Sequence, residues 1–129
     1  MDIVITLPRP LIDKILSGEK TVEIRKNKPK KFNPELDYVF VIEKGTKLAV
    51  AWFKISWFEF GSASLVNFLY GEKIGVPEKW LKDYVKNDSS KDVWVWHILK
   101  GGLFCSPVCL TALGLKCSPQ SYAYHKIIF

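Results

Sequence analysis

Hydrophobic and polar residues alternate in several short segments of the chain, and such alternation is typical of β-strands that bury one face. Ile3 to Thr6 is the first of these segments, and Thr21 to Arg25 is the second. Because successive side chains of a strand point to opposite faces, Glu23 and Arg25 are expected on the same face of the second strand. The pattern therefore predicts a strand with one apolar face and one charged face.

Four further segments have strand character, and two of them are predicted to form a hairpin. They are Tyr38 to Ile42, Leu48 to Phe60, Val93 to Leu99 and Tyr122 to Phe129. Residues 43–46 separate the first two segments and include Gly45, which allows the positive φ of a tight turn. The second arm of this hairpin is long for a flat strand, so we expect a bend or a bulge within it.

Two segments in the first 70 residues carry the end signals of helices. The first begins at residues 8–10, Pro-Arg-Pro, and is expected to end at Gly18, because glycine is preferred just after a helix. The second spans Ser62 to Tyr70, and either Ser62 or Ser64 is expected to cap its N-terminus.

A third helix is predicted to begin at Pro77, and its apolar residues recur at helical spacing. The residues that share its apolar face are Trp80, Leu81, Tyr84 and Val85. Five or six strands with two or three helices, in no regular β-α-β order, predict an α+β fold around a small β-barrel. No repeat or linker interrupts the pattern, so residues 1–129 are expected to form a single domain.

Composition is ordinary for a folded domain, but the charge is not. Hydrophobic residues make up 48% of the 129 residues and charged residues 25%, which argues against disorder. Lys and Arg number 19 against 13 Asp and Glu, so the net charge is +6, and ten of the cations precede residue 50. This local excess of positive charge indicates a polyanionic partner such as nucleic acid.

Other features limit the location and the chemistry of the protein. No apolar stretch is long enough to span a membrane, and Asp2 and Pro8 interrupt the order of a signal peptide. A cytoplasmic, monomeric protein without membrane contact is therefore expected. Gly71 and Gly75 are not followed by the Lys-Ser or Lys-Thr of a phosphate-binding loop, so nucleoside triphosphate hydrolysis is not expected. We predict no cofactor.

Cysteine and histidine residues do not form a recognisable metal or catalytic pattern. The spacing of Cys105, Cys109 and Cys117 lacks the tight pair of a zinc site, and an odd number of thiols suits a reducing compartment. His97 and His125 add no second pair of ligands, and we interpret His97 as a partly buried strand residue. No metal site is predicted.

Three blocks of the sequence together cover nearly the whole chain and resemble the ASCH family, a branch of the PUA-like superfamily. The first block is the most specific, because a helix, a glycine, Lys-Thr and then Glu-x-Arg follow one another in the order found in the family. The blocks are LPRPLIDKILSGEKTVEIRK at residues 7–26, VWHILKGGLF at 95–104 and SPVCLTALGLKCSPQSYAY at 106–124.

The resemblance implies a small β-barrel with flanking helices and a cleft that receives RNA or a nucleotide. Some small bacterial members resemble amidohydrolases acting on acetylated cytidine, with a lysine, a threonine three residues later and a glutamate from further along the chain. Lys20 matches the lysine, whereas Glu23 stands at the threonine position. Glu72 and Glu78 lie in the segment that supplies the distant carboxylate. Whether the protein is an enzyme stays open; if it is, Lys20 and Glu23 are the expected catalytic residues.

The charged face of the second strand is the predicted nucleic-acid site. Glu23 can hold the guanidinium of Arg25 in a fixed orientation, which leaves other N–H groups to bind a phosphate or a base edge. Lys20 is expected to add a movable charge at the preceding turn, and Arg9 and Lys26 are expected at the rim. RNA, another nucleic acid or a nucleotide-like ligand is the predicted partner.

Less specific interpretations of the same residues stay open at this point. A Glu-x-Arg pair on a strand is often a solvated surface ion pair worth under about 1 kcal/mol. The lysines that follow it either extend the positive surface along a nucleic-acid backbone or form a solubilising loop, and they are Lys26, Lys28, Lys30 and Lys31. The tryptophans either pack in the core or stack on bases, and they are Trp52, Trp57, Trp80, Trp94 and Trp96.

Overall fold

The computed structural model describes residues 1–115, 118–119 and 121–125 of the chain. The strands are β1 (Asp2–Leu7), β2 (Val22–Arg25), β3 (Val39–Glu43), β4 (Leu48–Ser62), β5 (Asp92–Cys109) and β6 (Ala123–His125). The helices are α1 (Arg9–Ser17), α2 (Ala63–Tyr70) and α3 (Glu78–Tyr84), and 3₁₀ turns occupy Gly71–Ile74 and Leu110–Leu113.

The six strands form one mixed sheet in the order β2-β5-β4-β3-β1-β6. β1 and β3 pair in parallel, and the other neighbouring strands pair antiparallel. The predicted α+β class is confirmed: the described residues form six strands and three α-helices, where five or six strands and two or three helices were expected. Within the described residues the sheet is not closed into a continuous barrel, because β2 and β6 each have one neighbour and so form its two edges.

The long second arm of the β3–β4 hairpin is irregular, as predicted. The pairing of β4 with β5 shifts register between Ala49 and Ala51 and at two further points near Ile55, and such bulges bend a strand. Gly45 in the hairpin turn has a φ of 89°. The hairpin therefore forms where the sequence places it, with a bent second arm.

The strand predicted for Val93 to Leu99 extends much further, because β5 continues to Cys109. The pair Gly101-Gly102 lies inside the strand, where it permits close contact with β4. A Cβ atom added at Gly102 would lie 3.0 Å from the indole ring of Trp52, which covers this glycine. The predicted final strand is present as β6, and its residues 126–129 lie outside the described part of the chain.

The helix ends follow from local chemistry. Gly18 follows α1 with a φ of 86°, and its N–H donates to the carbonyl oxygen of Ile15 at 3.2 Å, as expected for a glycine C-cap. Of the two possible caps of α2, Ser62 is the one observed, because its hydroxyl oxygen accepts from the N–H of Leu65. No described helix has the length and apolar character needed to cross a membrane.

Two apolar clusters pack against the sheet, and the second of them holds β2 in place. One cluster packs α1 against the sheet and includes the fully buried Trp96. The other packs Val22 and Ile24 of β2 against Leu81 of α3 and against α2. Because Val22 and Ile24 face this second cluster, the intervening charged residues of β2 must point to the opposite side of the sheet.

Candidate functional site

Lys20 is a buried ammonium at the start of the site. Its side chain is 1% exposed, and Nζ donates to the carbonyl oxygens of Val22 at 2.7 Å and Ile74 at 2.6 Å. The same Nζ lies 3.2 Å from Oε1 of Glu23. Each N–H of the ammonium therefore has an acceptor. The expectation of a movable charge at the turn was wrong, because burial and these acceptors fix the group.

Glu23 lies between two cations within the fold. Its second carboxylate oxygen, Oε2, is 3.1 Å from Nη2 of Arg25, and its side chain is 6% exposed. Burial on its own raises the pKa of this carboxyl, but the charges of Lys20 and Arg25 outweigh burial and hold the pKa below the ordinary value. Glu23 is therefore ionised at neutral pH, and the surface ion pair considered for Glu-x-Arg is instead a buried triad.

Arg25 connects the two edges of the sheet. Nη2 donates to Glu23, and Nη1 donates at 2.9 Å to the carbonyl oxygen of Ser121, two residues before β6. The guanidinium carbon also lies 5.7 Å from the centre of a Trp96 ring. The remaining N–H groups of the guanidinium have no hydrogen-bond partner among the described residues.

A cavity of about 560 Å³ opens beside this triad, and we call it the Arg25 cavity. Its charged wall includes Lys20, Glu23 and Arg25 from the β2 region and Lys44 from the β3–β4 turn. Three cations and one carboxylate give this wall a net positive charge. Thr6 also lines the cavity, and its buried hydroxyl has no hydrogen-bond partner among the described residues.

Another part of the lining of the Arg25 cavity is aromatic. Trp80 and Tyr84 of α3 lie one turn apart, and their rings stack 5.0 Å apart at an angle of 11°. Trp80 is 40% exposed, although the helical pattern predicts it on the buried face together with Leu81. The difference arises because the space that Trp80 faces is the cavity rather than another element. An arginine and a flat aromatic surface in one cavity suit a ligand with an anionic group and a planar ring.

The structure brings Lys20, Glu23 and Arg25 together, but it separates Arg9 from them. The guanidinium of Arg9 lies 3.0 Å from Asp13 and 3.0 Å from Glu43, and Arg9 is not among the residues that line the Arg25 cavity. These two carboxylates raise the pKa of Arg9. Pro8, the residue before Arg9, does line the cavity, as does Lys44.

Lys26, which was expected at the rim, does not line the Arg25 cavity; this lysine and the lysines that follow it lie along aromatic side chains. The Nζ of Lys26 is 5.1 Å from the ring centre of Tyr84, and that of Lys31 is 5.8 Å from the ring centre of Tyr124. Lys28 lies over the rings of Phe58 and Trp94 at 5.4 and 5.3 Å. Cations at this distance from ring faces are attracted to them, so this loop is held against α3 and the sheet.

The other sequence candidates lie away from the cavity. Glu72 and Glu78 are exposed and do not line it; Glu78 instead pairs with Lys82 at 3.6 Å. The Nε2 atom of His97 is 2.9 Å from Glu59, and its ring stacks on Trp57.

Cys105 and Cys109 are exposed free thiols, and no group of three potential metal ligands occurs in the described part of the chain. Cys117 and the side chain of His125 lie outside that part.

Sequence reasoning missed Thr6, Lys44 and the cavity-facing role of Trp80. Thr6 reads as an ordinary strand residue and Lys44 as an ordinary turn residue. The one available signal was the pairing of Trp80 and Tyr84 four residues apart, because aromatic rings at that spacing share a helix face. These residues meet only because α3 and the hairpin turn converge on β2.

Several solved structures share this architecture. No protein-family model and no curated protein matches the sequence. ASCH from Zymomonas mobilis is similar with a TM-score of 0.80 and 19% identity, over 95% of this chain and 86% of that protein. A point mutant of the same ASCH gives a TM-score of 0.79 and 18% identity, over 95% of this chain and 87% of the mutant. The hypothetical protein PH0355 is similar with a TM-score of 0.51 and 22% identity, over 81% of this chain and 97% of that protein.

The fold and the site together define a small α+β protein with an open mixed sheet and a polar cavity between α3 and the edge strand β2. At these identities, structural similarity identifies a fold. The fold of this chain is that of the ASCH domain proteins, so the resemblance carried by the three sequence blocks is confirmed at the level of the fold.

Proposed function

We propose that the protein binds RNA or another nucleic acid and holds one nucleotide in the Arg25 cavity. The observation that carries the proposal is the buried triad, in which Glu23 orients the guanidinium of Arg25. A guanidinium with a fixed plane can donate two parallel hydrogen bonds to a phosphate or to a base edge. The desolvated triad gives Arg25 this orientation before the ligand arrives.

The other residues that line the Arg25 cavity favour a nucleotide as the ligand over a simple anion. Bases of single-stranded RNA commonly stack on aromatic side chains, and Trp80 presents an exposed ring backed by Tyr84. Lys44 adds a second charge for a phosphate. The hydroxyl of Thr6, which has no partner among the described residues, supplies a polar group for a sugar or a base. Charge, stacking surface and hydrogen-bonding groups thus occur in one cavity.

A binding experiment tests this proposal. Short fluorescent RNA and DNA oligonucleotides are titrated with the wild type and with Arg25→Ala at low salt, and binding is measured by fluorescence anisotropy. We expect the substitution to weaken binding about tenfold or more, because hydrogen bonds to charged groups contribute about 1.5–3 kcal/mol each. Arg9→Ala is the matched control, since Arg9 is an exposed arginine outside the cavity, and little change is expected. Equal binding by wild type and Arg25→Ala would show that the site is assigned incorrectly.

The alternative is a small amidohydrolase acting on acetylated cytidine or a similar modified nucleoside. The contact between Lys20 and Glu23 is the observation in its favour, because such a pair can transfer a proton. The saturated hydrogen bonding of Lys20 is against it, since a general base or nucleophile needs an unshared lone pair. Incubation with acetylated cytidine decides: turnover that Lys20→Ala abolishes would favour the hydrolase.

A further inference from the structure

A second basic hollow lies next to the Arg25 cavity. It has a volume of about 340 Å³, and we call it the Lys86 depression. Its charged residues are Lys26, Lys86, Lys91 and Asp92, so three cations face one carboxylate. Tyr84 lines both hollows. A ligand that leaves the Arg25 cavity past Tyr84 therefore enters a second region of positive charge.

Tyr84 is held firmly between the two hollows. Trp80 stacks against its ring, and its hydroxyl oxygen accepts a hydrogen bond from the backbone N–H of Lys26 at 2.9 Å. The ammonium of Lys26 lies 5.1 Å from the centre of the same ring. Burial raises the pKa of Tyr84, so its hydroxyl stays protonated at neutral pH. The boundary between the hollows is thus a fixed, uncharged side chain beside a lysine.

Lys86 lines the depression from a backbone position that glycine usually fills. Lys86 has a φ of 55°, in the left-handed region where glycine is favoured. The N–H of Lys86 donates to the carbonyl oxygen of Asp83, and the N–H of Asn87 donates to the carbonyl oxygen of Lys82. These two hydrogen bonds are the pattern of a Schellman motif at the end of a helix. Glycine is the usual residue at this position, and strained residues concentrate at functional sites. A lysine there is strained, and it lines the depression.

We propose that the ligand is a single-stranded nucleic acid with consecutive phosphates, and RNA is the expected form. One nucleotide occupies the Arg25 cavity, and the Lys86 depression binds the phosphate next to that nucleotide. This inference rests on the proposed function and narrows it to a polynucleotide, as opposed to a free nucleotide or nucleoside. The strand must be unpaired there, since a base within a duplex does not present its face to Trp80. Each lysine in the depression then neutralises backbone charge.

The test compares the affinities of wild type and variants for a nucleoside monophosphate and for a single-stranded hexaribonucleotide of the same base. Wild type is expected to bind the hexanucleotide more tightly. Lys86→Gly should weaken hexanucleotide binding about fivefold or more and leave monophosphate binding unchanged. Its melting temperature should not fall, because glycine relieves the backbone strain. Lys91→Gln should act in the same direction without any backbone effect.

Lys47→Gly is the matched control, because Lys47 also has a left-handed backbone, with a φ of 57°, and lines neither hollow. It should leave the ratio of the two affinities unchanged. Equal affinities of wild type for both ligands, or an unchanged ratio in both Lys86→Gly and Lys91→Gln, would overturn this inference and leave the proposed function standing. Failure of wild type to bind either ligand would overturn the proposed function itself.

Discussion

At the scale of single residues, the buried triad is the unusual feature of this protein. Lys20 and Glu23 are removed from water and the Arg25 side chain is 13% exposed, and desolvation of such groups commonly offsets most of their mutual attraction. Stability alone therefore gives little reason to retain Lys20, Glu23 and Arg25. Orientation of the Arg25 guanidinium toward a ligand gives a better one, because a group that is already fixed loses little entropy on binding.

Glu23→Gln should destabilise the protein by about 3 kcal/mol or more at pH 7, because it leaves the charges of Lys20 and Arg25 without their counterion in a buried place. Urea unfolding of both proteins measures the difference. Glu78→Gln is the matched control: Glu78 pairs with Lys82 on the surface, and both side chains are about 60% exposed. That change should cost under about 1 kcal/mol. Similar costs for the two variants would contradict a buried triad.

The same pair of proteins gives a second readout in acid. The pKa of Glu23 is lower in the folded state than in the unfolded chain, so the unfolded chain binds the proton more readily. The resulting stability is present above the unfolded value of about 4.3 and is lost as pH falls through the folded pKa. Wild type should therefore lose more stability below about pH 4 than Glu23→Gln does. Parallel acid profiles would show that Glu23 has an ordinary pKa.

At the scale of elements, the α1–β2 connection shows what sequence can and cannot predict. Proline at the start and Gly18 at the end define α1 locally, and the alternation of β2 correctly pairs Glu23 with Arg25 on one face. The burial of Lys20 could not be predicted, because the carbonyl oxygen of Ile74 and the turn at Gly75 cover it from a distant part of the chain. Local patterns carry no information about such a cover.

Gly75→Ala should destabilise the protein more than Gly18→Ala. Both glycines have similar backbone angles, with φ of +82° and +86°, so both substitutions should cost about 1–2 kcal/mol in backbone strain. A Cβ at Gly75 would also lie 3.1 Å from the side chain of Lys20, whereas a Cβ at Gly18 would have no described atom within 4 Å beyond those of the adjoining residues. Overpacking should add about 1–3 kcal/mol at Gly75 alone. Equal unfolding free energies for the two variants would show that the contact with Lys20 is loose.

The underestimated length of β5 has a similar cause. Two adjacent glycines normally weaken a strand, and the sequence gives no reason to continue it past Leu99. In the structure, β4 pairs with β5 beyond the glycines, and Trp52 packs over Gly102. The stabilising contact comes from another strand, so it was absent from the local pattern.

At the scale of the whole molecule, charge and topology act together. Hydrophobic periodicity was sufficient for the α+β class, and three cations of the N-terminal excess, Lys20, Arg25 and Lys44, line the Arg25 cavity. The cavity itself required the sheet order, because it combines β2, the β3–β4 turn and α3. A chain with a net charge of +6 attracts any polyanion, so the field of the whole protein must be separated from contacts made in the two hollows.

Salt dependence makes that separation. Each phosphate neutralised in a single strand contributes about −0.7 to the slope of the logarithm of affinity against the logarithm of salt concentration. Lys86→Gly should therefore make the slope for a single-stranded RNA less negative by about 0.7, since one phosphate contact is lost from the depression.

The control variant is Lys100→Gln, which removes one charge from an exposed position on β5 that lines neither hollow. If the overall field governed binding, both variants would lower the affinity alike and change the slope alike. A slope that falls only in Lys86→Gly, measured by titration at several salt concentrations, assigns the contact to the depression, because a uniform field does not distinguish between two surface lysines.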